Sequence, residues 1–339
     1  MTSLAVSVTP MELRLVHVFK IARGEEAIAR TAVVRVRHDG DEGIGEATPI
    51  GRYGESIESV EAYFAAHQPA VGNPFMLEAL LHSGIPPAAR AGLDLALYDL
   101  IGKRLHLPLY ALLGLDPSAT PLTSFTIGIA DPDETLRKVD EAAHFPILKV
   151  KLGGGTPSQD VETIAAIRSR YTGTIRIDAN EGWSVDDAIT LLRELRRYDV
   201  ELCEQPVPAG HPHWLRAIRD RVEIPIVVDE DVCSASDLPP LYGCVDGVNV
   251  KLAKTGGIRG ALATIATARA MGLKVMLGCM IESAIAATAA AHLSPLVDWA
   301  DLDGPLLIAD DPFDGVRYDG AKLVLPEAPG LGVRPAVPA

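Results

Sequence analysis

Eight short β-rich runs alternate with helical patterns between residues 120 and 310: LTSFTIGI, PILKVKL, TIRIDA, VELCEQP, IPIVVDE, GVNVKLA, LKVMLGC and LVDWADLD. The stretches between them, such as PDETLRKVDEAAHF, DVETIAAIRSRY, VDDAITLLRELRRY and IRGALATIATARAMG, carry helical periodicity. Alternation sustained this far argues for a parallel sheet, most simply closed as a (β/α)8 barrel. An open doubly wound sheet is the alternative. No GxGxxG stands at a strand–helix junction, so that fold's commonest cofactor signature is missing.

The first third reads differently, as α+β. MELRLVHVF alternates like a strand, and TAVVRVRHDGDEGIGEATP reads as strand, Asp39-Gly40 turn, strand. Two helical stretches follow, ESVEAYFAAHQ and the long AARAGLDLALYDLIGKRLH, which stops before Pro108. The tail VRYDGAKLVLPEAPGLGV reads as a hairpin that leaves the barrel and returns to the first unit. The expected division is therefore an α+β capping domain over 1–115, a catalytic barrel over 116–314 and a returning tail over 315–339.

A chain of 339 residues with 48% hydrophobic residues can bury a large core. Its formal charge of -14 disfavours nucleic acid as a partner, because phosphate binding needs a basic surface. No window is apolar enough for a membrane span, and the N-terminus lacks the pattern of a signal peptide. The four cysteines, Cys203, Cys233, Cys244 and Cys279, have neither disulfide-framework nor zinc spacing. Reduced thiols in a cytoplasmic protein are the expectation. Association into a homo-oligomer is left open.

Active sites of barrels collect at the C-terminal ends of the strands. There the second strand offers Lys149 and Lys151, which alternation places on one face. The third, fourth and fifth offer Asp178 with Asn180, Glu204, and Asp229 with Glu230; the sixth offers Lys251 and the eighth Asp301 and Asp303. The acids at 178, 204 and 229 are 26 and 25 residues apart, one βα unit each. Three carboxylates in a half-buried site need a cation, and all-oxygen ligation suits Mg²⁺. The plainer alternative is that each acid caps a helix. A lysine in a dry site beside another cation is expected to have a lowered pKa and to act as a base, with Lys149 the neighbouring cation for Lys151. Lys151 and Lys251 then suggest proton removal on one face of a substrate and delivery on the other. Lysines that merely pair with Asp178 and Asp229 are the structural alternative.

These residues resemble the enolase superfamily, in its muconate lactonizing enzyme subgroup. The resemblance rests on LKVKLG, DANEGW, CEQPVP, VVDEDV, NVKLAKTGG and the helix RAGLDLALYDLIGKRLHLPLYALLG, and it spans nearly the whole chain. It implies Asp178, Glu204 and Asp229 as ligands of one Mg²⁺ per subunit, and Lys151 and Lys251 as the acid/base pair. Lys149 would help neutralise a substrate carboxylate, and Asn180 and Glu230 would support the ligands. Lys251 is preferred to Lys254 because it ends the strand, while Lys254 falls in the following loop. His292, after strand seven, is expected to be a packed or surface histidine.

The subgroup includes racemases, dehydrating synthases and cycloisomerases. Asp301 and Asp303 resemble the DxD motif of dipeptide epimerases, whose acids hold a free α-ammonium group. A turn carrying two solvated acids is the alternative. The implied activity is Mg²⁺-dependent epimerisation of an L,L-dipeptide at its C-terminal residue; N-acylamino acid racemase, cycloisomerase or o-succinylbenzoate synthase chemistry is the other reading. Specificity should lie in KIARGEE and TPIGRYGES: Arg23 could meet an acidic side chain, and Glu25, Glu26 or Glu55 a cationic one. Met280 and Ile281 are candidates for the pocket wall.

Overall fold

A computed structural model describes residues 4–69, 72–82 and 84–336; the outermost residues of the expected first and last units lie outside these. Strands β1 (Ala5–Ile21), β2 (Gly24–His38) and β3 (Asp41–Ala47) form an antiparallel sheet in that order. The β2–β3 turn has Asp39 and Gly40 both at positive φ, 54° and 88°. That conformation suits the right-handed twist of a tight hairpin, and Asp-Gly is the pair that adopts it at least cost.

The long helix Pro87–Leu105 lies across this sheet at backbone contact. A Cβ on Gly45 would stand 2.2 Å from the Gly92 carbonyl oxygen, and one on Gly43 2.1 Å from that of Ala96. The GIG of β3 is therefore a docking groove for the helix. Near their turn, β1 and β2 extend past the sheet toward the barrel. The Lys20 carbonyl accepts from Ile129 N–H at 2.9 Å, and the Arg14 carbonyl from Ala309 N–H at 2.8 Å.

The second unit is the expected barrel. Strands β4 (Phe125–Ile127), β5 (Ile147–Lys151), β6 (Thr174–Asp178), β7 (Val200–Glu204), β8 (Ile226–Val228), β9 (Gly247–Lys251), β10 (Lys274–Gly278) and β11 (Trp299–Asp301) are parallel neighbours in chain order. The ring is closed by a parallel bridge between Thr123 and Ala300, with Ser124 N–H donating to the Ala300 carbonyl at 3.2 Å. Alternate strand residues fill the interior, and the apolar ones outside pack against the helices: Leu148, Ile175, Ile177, Cys203, Val248 and Val250 belong to one continuous core. Among the described residues no helix is long and apolar enough to cross a membrane.

The tail forms a hairpin, Arg317–Asp319 with Lys322–Val324, and then returns to the first unit. Gly330 exchanges backbone hydrogen bonds with Leu107 and Leu109, and Leu331 N–H donates to Asp99 Oδ1 at 2.8 Å. Asp99 Oδ2 accepts from Ile44 N–H and Lys103, so one buried carboxylate joins β3, the long helix and the tail. His292 is packed at the same junction. Its Nδ1 accepts from Tyr110 N–H at 3.3 Å, which leaves Nε2 to donate to the Leu331 carbonyl at 3.1 Å. Burial holds the ring neutral, its pKa down at about 4.

A group whose folded-state pKa is depressed contributes stability above its unfolded value and loses it as pH falls. Wild type is therefore expected to lose stability relative to a His292→Gln variant between pH 6.5 and about 4, by roughly 2 kcal/mol at pH 4.5. Urea unfolding of both proteins at pH 7 and pH 4.5 measures the difference.

Candidate active site

The barrel interior carries its charges in register. Lys151 pairs with Asp178 across β5 and β6, and Asp178 with Glu204 across β6 and β7. Asp229 follows the last residue of β8, and Lys251 ends β9. All are buried. Lys149 Nζ lies 2.6 Å from Asp301 Oδ2, 2.7 Å from Glu204 Oε2 and 3.4 Å from Asp178 Oδ2. Lys151 Nζ donates to Asp178 Oδ2 at 2.6 Å, and Lys251 Nζ stands 3.1 Å from Asp229 Oδ2. None of the three acids caps a helix; the helix after β6 is capped by Ser184.

Burial alone would lower the pKa of Lys149 and Lys251, yet both are held above the ordinary lysine value. Asp301 and Glu204 outweigh burial at Lys149, and Asp229 outweighs it at Lys251. The acids move in both directions. Asp178 and Asp229 are lowered, because lysines overcome the penalty of burial. Glu204 is raised by burial, with Asp178 and Asp229 adding like-charge repulsion.

Lys254 was expected in a loop. It stands instead in a one-turn helix, Leu252–Thr255, buried, with its ammonium on the Asp229 carboxylate and carbonyl. Asp229 thus serves two lysines.

Neighbouring amides hold the acids in place. Asn180 donates its backbone N–H to Asp178 Oδ1 at 2.9 Å, and its side chain reaches Asp178 Oδ2 and Glu230 Oε1. Asn249, two residues before Lys251 and on the same strand face, donates to Glu204 Oε1 at 2.8 Å. Gln205 sits at φ 34°, which turns its side chain toward the next strand. There Oε1 accepts from Asp229 N–H at 2.9 Å and Glu230 N–H at 3.0 Å, and Nε2 donates to Val207 and Asp231. The sequence reading missed both Asn249 and Gln205. The N-x-K alternation was a usable signal for Asn249, and the position directly after a metal-candidate acid for Gln205.

Asp301 and Asp303 share the far side of the mouth. Asp301 accepts from Lys149 and from Ser124 Oγ at 2.6 Å. Lys149 holds it down at about 2 against the upward push of burial. The strand ends at Asp301, so Asp303 opens a short 3₁₀ turn and accepts from Thr126 N–H at 2.6 Å. Burial and the charge of Asp301 push Asp303 up to about 6. Lys149, Lys151, Lys251, Asp301, Asp303 and Met280 all line one cavity of about 680 Å³. Met280 Sδ is 3.9 Å from Lys251 Nζ.

The cavity is roofed from the first unit by residues 19–30 and 48–53, which include Arg23, Glu25 and Glu26. Arg23 is already committed: it donates to the Asn180 carbonyl at 2.7 Å, to Glu181 at 2.8 Å and to Glu230 at 2.6 Å. Glu230, raised by burial and by Asp229 to about 7, is its closest partner. Glu55 is no pocket residue; it accepts from Ala88 N–H at 2.9 Å and caps the long helix.

Comparison with known proteins follows this geometry. Residues 133–338 match the model described as enolase C-terminal domain-like. Residues 4–114 match that of the mandelate racemase / muconate lactonizing enzyme N-terminal domain.

The chain belongs to the enolase superfamily.

This superfamily member is 38% identical over 332 residues to the L-Ala-D/L-Glu epimerase of Bacteroides thetaiotaomicron, covering 96% of this chain and 86% of the relative. The substrate-liganded L-Ala-D/L-Glu epimerase of Bacillus subtilis superposes with a TM-score of 0.92 at 30% identity, over 99% of this chain and 100% of the other. The dipeptide epimerase of Enterococcus faecalis V583, complexed with Mg and L-Leu-L-Tyr, gives a TM-score of 0.90 at 34% identity, over 98% and 99%.

Gln205→Leu removes the acceptor of two buried N–H groups beside Asp229. It should destabilise the fold by about 3 kcal/mol, read as a lowered urea midpoint at unchanged slope.

Proposed function

We propose that this protein, an isomerase of the enolase superfamily, epimerises dipeptides at the α-carbon of the C-terminal residue. The observation that carries the reading is one cavity holding lysines from β5 and β9 on opposite sides of the ring, with the Asp301–Asp303 pair on its rim. A free α-ammonium near three lysines needs anionic partners, and these two acids supply them. An N-acylated amino acid needs no such pair.

Asp178, Glu204 and Asp229 would hold one Mg²⁺, supported by Asn180 and Glu230. The donor set fits: all oxygen, all buried, with Glu204 Oε2 and Glu230 Oε2 lacking an aligned hydrogen bond although Lys149 lies close to the former. Among the described residues no three His, Cys, Asp or Glu side chains form a ready-made cluster, because the ammonium groups stand among the acids. Lysines and a divalent cation therefore compete for the same carboxylate oxygens. When bound, Mg²⁺ would supply Lewis acidity toward a substrate carboxylate.

The chain's own residues do the rest. Lys149, buried and positive, faces the carboxylate on which charge accumulates as the α-proton leaves. One of Lys151 and Lys251, as the neutral amine, accepts that proton on Nζ, and the broken C–H bond's electron pair moves into the carboxylate as an enediolate. The other returns a proton to the opposite face. The site lies in a cytoplasmic enzyme on this reading, consistent with four unpaired thiols. The relatives differ in the side chains they handle, so the class of substrate is the proposal here and the preferred residue is not.

A library of L,L-dipeptides incubated with enzyme and Mg²⁺ in D₂O tests it: the C-terminal α-proton should exchange and the centre invert. No exchange across the library sinks the reading. Lys151→Ala and Lys251→Ala should each lose about 10³-fold in epimerisation. Each should still exchange the α-proton of one epimer, opposite epimers for the two variants. Chelation should abolish turnover, and Asn249→Ala, which strips the donor from Glu204, should weaken Mg²⁺ binding by about 10–100-fold in a calorimetric titration.

A further inference from the structure

Glu181 follows Asn180 in the loop after β6 and plays no part in the chemistry above. Its side chain is only 8% exposed although it stands at the rim of the mouth. Four donors surround it. Oε2 meets Arg23 Nη1 at 2.8 Å and Arg52 Nη1 at 2.6 Å; Oε1 meets Arg52 Nη2 at 2.7 Å and Ala209 N–H at 2.8 Å. Arg23 lies in the β1–β2 turn, and Arg52 in the short 3₁₀ turn Gly51–Tyr53. These are the two separate pieces of the first unit that roof the cavity.

The backbone under Glu181 is set for this task. Its φ is 68°, a left-handed conformation that costs a non-glycine residue free energy. The Glu181 N–H is fixed on the Gln205 carbonyl at 2.8 Å. Glycine would relieve the strain but would leave both arginines without their shared carboxylate.

We propose that Glu181 is a positioning residue that latches both roof segments onto the barrel and couples them, so that neither opens alone. A carboxylate bonded through both oxygens to two guanidinium groups is a charge-assisted, directional joint. Arg23 carries the latch inward as well, through Glu230 and the Asn180 carbonyl, so roof position is tied to the residues that support the proposed ligands. The catalytic consequence rests on the dipeptide reading; the latch itself does not.

Trypsin reads the latch directly, because it cleaves after Arg23 and Arg52. With the full-length protein, Glu181→Gln should speed cleavage at both positions by about tenfold while the urea midpoint stays put. Arg52→Gln removes the guanidinium that orients both oxygens of the Glu181 carboxylate, and should therefore also speed cleavage after Arg23. In the Mg²⁺-loaded enzyme, Glu181→Gln should raise KM for its dipeptide more than it lowers kcat, with Glu181→Asp intermediate. Unchanged cleavage at both sites, or faster cleavage that merely tracks a fallen urea midpoint, overturns the latch. Arg23 indifferent to Arg52→Gln overturns the coupling, and faster cleavage with unmoved KM overturns the positioning role. If no dipeptide is turned over, the function reading fails while the trypsin arms still decide the latch.

Discussion

Everything at the barrel mouth depends on the mutual neutralisation of buried ammonium and carboxylate groups. Lys149, Lys151, Lys251 and Lys254 meet Asp178, Glu204, Asp229 and Asp301 within a few ångströms. A single such charge in a protein interior is prohibitively costly, and a pair is close to neutral at best. An alternating array spread over neighbouring strands is tolerable because Lys149, Asp178 and Asp229 each serve more than one opposite neighbour and link the rest. The array is therefore collectively determined: removing one member leaves others uncompensated, and amides from Asn180 and Asn249 occupy further lone pairs while the Gln205 side-chain oxygen accepts from the Asp229 N–H.

The same electrostatics joins binding to chemistry. The carboxylates that stabilise the lysines are also the oxygens a hard cation would seek. Asp301 is likewise divided between Lys149 and the Ser124 hydroxyl. Asp303, its pKa raised by burial and by Asp301, accepts from the Thr126 N–H.

The sequence disclosed the barrel because strand and helix periodicities differ and alternate eight times. It disclosed the acids because one βα unit fixes their spacing at 25 or 26 residues. What it hid was decided by contacts between residues distant in the chain. Lys254 reads as a loop residue beside two glycines until Asp229 is seen to face it. Lys149 and Lys251 read as cations in a dry interior, whereas the carboxylates that raise them come from distant strands. Gln205 and Glu181 depend on left-handed backbone positions, which no composition or periodicity announces for these residue types. Arg23 reads as a free loop charge because Glu181 and Glu230 lie more than 150 residues away.

The return of the tail to the long helix has a consequence for how the chain is made. Gly330 and Leu331 complete hydrogen bonds with Leu107, Leu109 and Asp99, the last across a separation of 232 residues. Chains emerge from the ribosome N-terminus first, and domains tend to fold as they appear. Here the first unit to emerge has to wait for residues synthesised after the whole barrel before its helix edge and Asp99 are satisfied. The packing of the long helix's edge is therefore completed only after all the barrel strands have been made.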